Sequence, residues 1–156
     1  MTFQSRAQLL SLATAVPPFV LETTVIAKQA AETFKGLGNA LSRLLPIYTN
    51  SEIDRRYSVC PMEWFLEPRG WPDRTAKFMS GATSLFKDAA GKALEEAHLK
   101  ASDVDVVVTV SSTGIATPSI EAHVMVEMGF RVDVQRVPVF GLGCAGGLSG
   151  LSLAAR

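Results

Sequence analysis

The run Val104-Asp105-Val106-Val107-Val108-Thr109-Val110 constrains this chain more than any other stretch. β-branched side chains crowd the preceding turn of a helix but pack well on a pleated surface, so the run predicts a strand. Apolar residues at consecutive positions, rather than alternate ones, predict burial on both faces, as in a parallel strand covered by helices. The flanking sequence supplies such helices. From Arg74 to His98 the residues Phe78, Met79, Ala82, Leu85, Phe86, Ala89, Ala93, Leu94 and Ala97 fall along one side, which predicts a long helix capped by Asp73. Downstream, Ser119 is placed to cap a helix over Ile120 to Met128 that Gly129 closes. Arg131 to Arg136 is polar, and Val137 to Phe140 predicts the next strand. Strand, helix, strand, helix and strand together imply one layered α/β domain.

The first strand of that series is expected at Arg6 to Ala15, stopped by Pro17-Pro18. Arg6 followed by the apolar Ala7 to Val16, with Ala13-Thr14-Ala15, superficially resembles a signal peptide, but Gln8, Ser11 and Thr14 dilute it. Val25, Ile26, Ala30, Phe34 and Leu37 recur at helical spacing, predicting a helix from Glu22 to Leu37, capped by Thr23 or Thr24 and ended by Gly36 and Gly38. Leu41 to Tyr57 follows no single period. Its Arg43, Arg55 and Arg56 suit a solvated face or, more sharply, phosphate contacts. Ser58 to Asp73 is a proline-punctuated loop with both tryptophans, Trp64 and Trp71, expected to cover the core, and Cys60 beside Pro61 reads as a structural thiol.

Composition narrows the partners. Fifteen basic and fifteen acidic residues cancel, which gives no field for nucleic acid or an anionic membrane surface. No apolar run is long enough to span a bilayer. Two cysteines and two histidines provide neither a disulfide framework nor metal-ligand spacing, so no metal is expected and a reducing cytoplasm is the expected home.

Two stretches carry chemistry. Ser111-Ser112-Thr113-Gly114-Ile115-Ala116-Thr117-Pro118 is a polar loop at the carboxyl end of the β-branched strand, the edge where open α/β sheets bind ligands. Val137 to Leu151 passes from a strand through Gly141 and Gly143 to Cys144, and small residues able to start a helix follow. A thiol at such a turn sits at the positive end of a helix dipole, beside backbone N–H groups that favour thiolate. A buried small hydrophobe is the plainer reading of a free cysteine.

Ser112-Thr113-Gly114 with Pro118 four residues on, and Gly143-Cys144-Ala145-Gly146-Gly147 about thirty residues downstream, resemble the type III polyketide synthases, the chalcone and stilbene synthase family. Ile53-Asp54-Arg55-Arg56-Tyr57 and Trp64-Phe65-Leu66-Glu67-Pro68 extend the resemblance across nearly the whole chain, in a form more bacterial than plant-like. The resemblance implies a thiolase-like fold, layered α/β/α with a mixed sheet, built of two similar halves and acting as a homodimer. It implies Cys144 as the nucleophile that accepts a starter acyl group from acyl-coenzyme A for decarboxylative condensation with malonyl-coenzyme A. Ser112, Thr113 and Gly143 then contact substrate, Thr117 reaches the partner subunit's cavity, and Arg55 and Arg56 remain as contacts for coenzyme A phosphates. Coenzyme A thioesters are substrates, with no resident cofactor.

The chain departs from that family pattern in two places. Asn50 and Asp54 stand near the Arg-Arg-Tyr match, where plant members have more lysine. The family's histidine and asparagine come from its second half, and neither His98 nor His123 matches that histidine. The sequence stops twelve residues after Cys144, and Ala145 to Ala155 has no polar face beyond Ser149 and Ser152. Gly146, Gly147 and Gly150 each cost about 1 kcal/mol against alanine in a helix. Such a helix is expected to be buried, its small residues against a matching helix of a second half. The expectation is an N-terminal half, residues 1–156, inactive alone. Two alternatives remain: an initiating ketoacyl carrier-protein synthase of fatty acid synthesis, and a non-catalytic half that dimerises through its apolar surface.

Overall fold

The leading segment gives way at Pro17-Pro18 to a four-residue strand, β1 (Phe19–Glu22), in a computed structural model that describes residues 7–156. The described residues separate into two units: Val16–Asp73, and residues 74–156 with the described part of the segment before Val16. In the first unit helix α1 (Thr23–Thr33) follows β1 directly. After a 3₁₀ turn at Lys35–Leu37 come two short helices, α2 (Asn39–Leu44) and α3 (Pro46–Asn50). Pro46 starts α3, where its fixed φ suits a first turn. Strand β2 (Arg55–Ser58) then returns antiparallel to β1, with Phe19 opposite Ser58 and Glu22 opposite Arg55. The stretch without a single period is thus two helical turns and a strand.

Neither Thr23 nor Thr24 caps α1. Glu22 occupies the cap position and makes no side-chain capping bond. Thr23 is buried, and its hydroxyl has other work: it donates to the Ile53 carbonyl oxygen and accepts from Arg56 Nη1 at 3.0 Å. Within the tryptophan loop the side chains pack on one another. Trp64 meets Phe65 edge-on at 5.0 Å, and the Arg69 guanidinium lies over the Trp64 ring while bonded to Glu67 at 2.6 Å. Trp71 is exposed, whereas Cys60 is buried, as a structural thiol requires.

Helix α4 (Trp71–Glu96) starts earlier than predicted because Pro72 is tolerated in its first turn, where the missing N–H costs no hydrogen bond. Asp73 therefore lies inside that turn, facing the positive end of the dipole, instead of capping it. At the other end Leu99 N–H donates to the Leu94 carbonyl and His98 N–H to that of Glu95, with His98 left-handed at φ 57°. This is a Schellman ending, so His98 serves the helix end through its backbone.

Strand β3 (Val106–Ser111) and strand β4 (Gln135–Phe140) pair in parallel, Val106 with Gln135 through Ser111 with Phe140. Between them runs α5 (Ile120–Met128), with Gly129 left-handed at its end as the sequence predicts; Ser119 holds the expected cap position with extended backbone, but its side chain makes no capping bond. Helix α6 (Gly146–Ala154) follows β4. Alternation along β3 sorts the layers. Thr109 bonds to Glu121 of α5, whereas Val108 and Val110 meet Gly146 and Gly150 of α6. The two helices therefore cover opposite faces of the parallel pair. Val124, Phe130 and Val134 form the buried apolar centre of this unit.

The described part of the expected first strand, residues 7–15, is not a strand; Arg6 lies outside the described residues. Ser11 and Ala13 are half-buried while Leu12 and Thr14 are exposed, so the alternation of an extended chain is present without a strand partner among the described residues. Ser11 Oγ donates instead to the Ala93 carbonyl of α4 at 2.8 Å. Among the described residues no helix is long and apolar enough to cross a membrane.

Candidate active site

Parallel pairing sends the two chemistry-bearing loops out of the same edge. Ser111 and Phe140 are register partners at the carboxyl ends of β3 and β4, and the Gly141 N–H still donates to the Ser111 carbonyl at 3.4 Å. Gly141 and Gly143 then take φ of 83° and 53°, values at which any other side chain is strained. These two glycines let the chain double back within four residues. Cys144 stands in the 3₁₀ turn Gly143–Ala145, exposed, immediately before α6. No side chain caps α6, so backbone N–H groups of its first turn border the turn that bears the thiol.

Two of the three α6 glycines, Gly146 and Gly150, have a partner other than the helix expected of them, whereas Gly147 has nothing within 4 Å among the described residues. A Cβ at residue 146 would lie 2.7 Å from Val110 Cγ1, and one at residue 150 would lie 2.6 Å from Val110 Cγ2. They face β3, not another helix, and let α6 lie almost on the strand. The opposite face leaves Leu148 76% and Leu151 65% exposed.

In the neighbouring loop, Ser111 Oγ donates to the Gly114 carbonyl at 2.8 Å and closes a tight turn. Gly114 rests on the Phe78 ring of α4 so closely that a Cβ would lie 2.4 Å from Cγ. Ser112, Thr113 and Thr117 are exposed on the outside of this loop. A cleft of about 230 Å³ opens beneath it, lined by Thr109, Ser111, Gly114, Ile115, Pro138 and Phe140 among others. Cys144, Ser112, Thr113 and Thr117 do not line that cleft. Among the sequence-predicted residues, then, Cys144, Gly143, Ser112, Thr113 and Thr117 share one edge.

Arg55 and Arg56 belong to the other unit. Adjacent on β2, they point to opposite faces and do not form one clamp. Arg55 is exposed, whereas Arg56 is tied to Thr23. The cleft of about 350 Å³ in this unit is bordered by Glu22, Glu52 and Asp54, a sign of charge that disfavours phosphate. His98 and His123 are both exposed, the latter in a groove with Met79, Lys87 and Glu127 between α4 and α5. Among the described residues no cluster of histidine, cysteine and carboxylate side chains is arranged to hold a metal.

Sequence reading missed Glu121. It is 1% exposed and accepts a hydrogen bond from Thr109 Oγ1 on Oε2 at 2.8 Å, while Oε1 has no partner among the described residues. An acid in the first turn of a helix reads as a solvated group favoured by the dipole, so the pattern gave no warning. The one available signal was a threonine inside an otherwise apolar β-branched run.

The family described as FAE1/Type III polyketide synthase-like protein matches residues 23–156. The chain is 35% identical over 138 residues to a 1,3,6,8-tetrahydroxynaphthalene synthase of Streptomyces peucetius subsp. caesius, covering 88% of this chain and 37% of that protein. It is 33% identical over 155 residues to a putative chalcone synthase of Bacillus subtilis (strain 168), covering 96% of this chain and 42% of that protein. The crystal structure of the 1,3,6,8-tetrahydroxynaphthalene synthase of Streptomyces coelicolor A3(2) superposes with a TM-score of 0.86 at 30% identity, over 95% of this chain and 42% of that one. Over the matched part the fold is the thiolase-like α/β fold of those proteins. The chain spans about two fifths of the length of these relatives.

Proposed function

Because the chain belongs to the FAE1/type III polyketide synthase-like family, we propose that it supplies the acyl-accepting part of a polyketide-forming acyltransferase, with Cys144 as nucleophile. The observation that carries this reading is the exposed Cys144 held on a two-glycine turn at the start of α6. The Cys144 thiolate attacks the thioester carbonyl of a starter acyl-coenzyme A, and coenzyme A leaves as a thiolate that takes up a proton. Malonyl-coenzyme A then loses carbon dioxide, and its carbanion attacks the acyl-cysteine carbonyl. The cysteine thiolate leaves and a β-ketoacyl-coenzyme A is formed. A thioester suits both steps because thiolate is a good nucleophile and a good leaving group.

Gly143 and the exposed Ser112 and Thr113 are the proposed substrate contacts at this edge, and the exposed Thr117 is the residue that reaches a second subunit of a homodimer. Exposed Arg55 is the better of the two arginines for a coenzyme A phosphate, since Arg56 is engaged. We assign polarisation of the thioester carbonyl and stabilisation of the carbanion to residues outside these 156, in the N-terminal-half reading of the chain. Without such donors the rate falls by about two to three powers of ten or more.

Incubation with acyl-coenzyme A starters, followed by intact-protein mass spectrometry, tests the proposal. An acyl adduct is expected on the wild type and none on Cys144→Ala. Addition of malonyl-coenzyme A to a complete enzyme is expected to give pyrone or resorcinol products. A strict requirement for an acyl carrier protein supports the fatty-acid synthase alternative instead, and an adduct retained in Cys144→Ala removes Cys144 from the role. The exposed Leu148 and Leu151 favour a second reading, a non-catalytic part that associates through α6. Unaided turnover by these 156 residues eliminates it.

A further inference from the structure

Burial of a carboxylate costs free energy unless donors and packing compensate, and an apolar side chain of similar volume often serves stability as well or better. Glu121 is buried to 1% exposure, with one oxygen bonded to Thr109 and the other unpartnered among the described residues. A dipole contact at the start of α5 does not require this, because an exposed acid interacts with the dipole too. What burial adds is a fixed point. Thr109 lies on β3 two residues before its end, and Glu121 lies at the second position of α5. Their hydrogen bond closes the base of the loop that joins the two elements. The Ser111 bond to Gly114 and the seat of Gly114 on Phe78 fix the same loop from above.

We propose that Glu121 is a positioning residue, whose buried carboxylate, held by Thr109, sets the path of the 112–118 loop and so places Ser112 and Thr113 beside the Cys144 turn. The functional half of this inference rests on the acyl-transfer reading above; the structural half does not. Loss of the bond leaves the loop attached to the fold but free to shift, which weakens substrate binding more than it slows the chemistry at Cys144.

The test compares the wild-type chain with Thr109→Val, Glu121→Leu, Glu121→Gln and the double variant Thr109→Val/Glu121→Leu. Three quantities are measured: Tm, amide hydrogen exchange of residues 112–118, and the kinetics of Cys144 acylation by acyl-coenzyme A. The first two variants are expected to speed loop exchange and raise the half-saturating acyl-coenzyme A concentration (KM) for acylation by about tenfold each, with a smaller change in the limiting acylation rate, the size expected when a buried polar group loses its hydrogen-bond partner. Glu121→Gln keeps an acceptor for Thr109 and is expected to stay within about threefold of wild type. The double variant replaces both partners by apolar groups, so its Tm recovers, while loop exchange and KM do not. Recovery of all three together makes Glu121 merely structural and overturns the proposal. Unchanged loop exchange in every variant overturns it as well, and that measurement decides even where wild type is not acylated, an outcome that strikes the acyl-transfer reading instead.

Discussion

The two edges of the β3–β4 pair are held by different physics. At the amino edge, the Arg131 guanidinium bonds to Asp105 at 2.9 Å, to Asp133 at 3.0 Å and to the Ser102 carbonyl at 3.2 Å. Both carboxylates are exposed, and such pairs contribute little because water and salt screen them. At the carboxyl edge the contacts are steric. Gly114 sits on Phe78, Gly146 and Gly150 sit on Val110, and left-handed glycines turn the chain towards Cys144. Charges bias a geometry, whereas close contact at van der Waals distance fixes it. The close glycine contacts are thus concentrated at the edge that bears the nucleophile, whereas the exposed ion pairs of the opposite edge tolerate change.

The largest expected effect that sharpens this contrast is Gly114→Ala. Its Cβ would lie within 2.4 to 2.6 Å of three atoms at the stem of the Phe78 ring, where no flexible end is available to yield. A loss of about 2 to 3 kcal/mol follows from overpacking of this kind. Denaturant melts measure it, and Phe78→Leu in the same chain is expected to recover part. An unchanged midpoint for Gly114→Ala breaks the claim that space, rather than backbone freedom, requires glycine there.

Next in size is a pair of substitutions on one helix with opposite signs. Gly→Ala inside a helix ordinarily gains about 1 kcal/mol. At Gly147, the second residue of α6, nothing among the described residues lies within 4 Å of the added carbon, so a gain of up to about 1 kcal/mol is expected. At Gly150 the carbon would meet stiff Val110 at 2.6 Å, and the overpacking term of about 1 to 3 kcal/mol exceeds the helix gain. Gly147→Ala should therefore raise Tm and Gly150→Ala lower it, with Val110→Ala relieving the latter. Equal shifts for both would mean that α6 does not rest on β3 as closely as the contacts require.

How much of this was legible follows the same division. Signals local to an element were readable: the β-branched run gave β3, Ser119 and Gly129 bounded α5, and the glycine turn located Cys144. Partners across space were not. Gly146 and Gly150 announced a close approach, but the pattern cannot say whether a helix or a strand makes it, and the answer was β3. Residues 7–15 have the alternation of a strand, yet strand identity depends on a neighbour that sequence order does not name. Glu121 was hidden because burial of a polar group is decided by what packs over it. Thr23 went to Ile53 and Arg56 instead of a cap for the same reason, since a hydroxyl takes whichever acceptor the fold brings near.

The smallest expected effect probes the amino edge. The hydrogen bond from Arg131 is the main cause that holds the Asp133 carboxyl below the ordinary aspartate range, helped by a backbone hydrogen bond and by the charge of the guanidinium. Arg131 is raised in turn by its bonds to Asp133 and Asp105, but it stays charged at every working pH and adds no pH dependence of its own. A carboxyl depressed in the folded state gives stability that is present above its unfolded pKa and is lost as pH falls through the folded one. Between about pH 5 and pH 2, wild type should therefore lose slightly more stability than Asp133→Asn, measured as the difference in Tm along the acid limb. Because the pair is exposed, about 1 M salt should erase that difference. A difference that survives such salt would show that the amino edge is held by more than screened charge, and the contrast between the two edges would fail there.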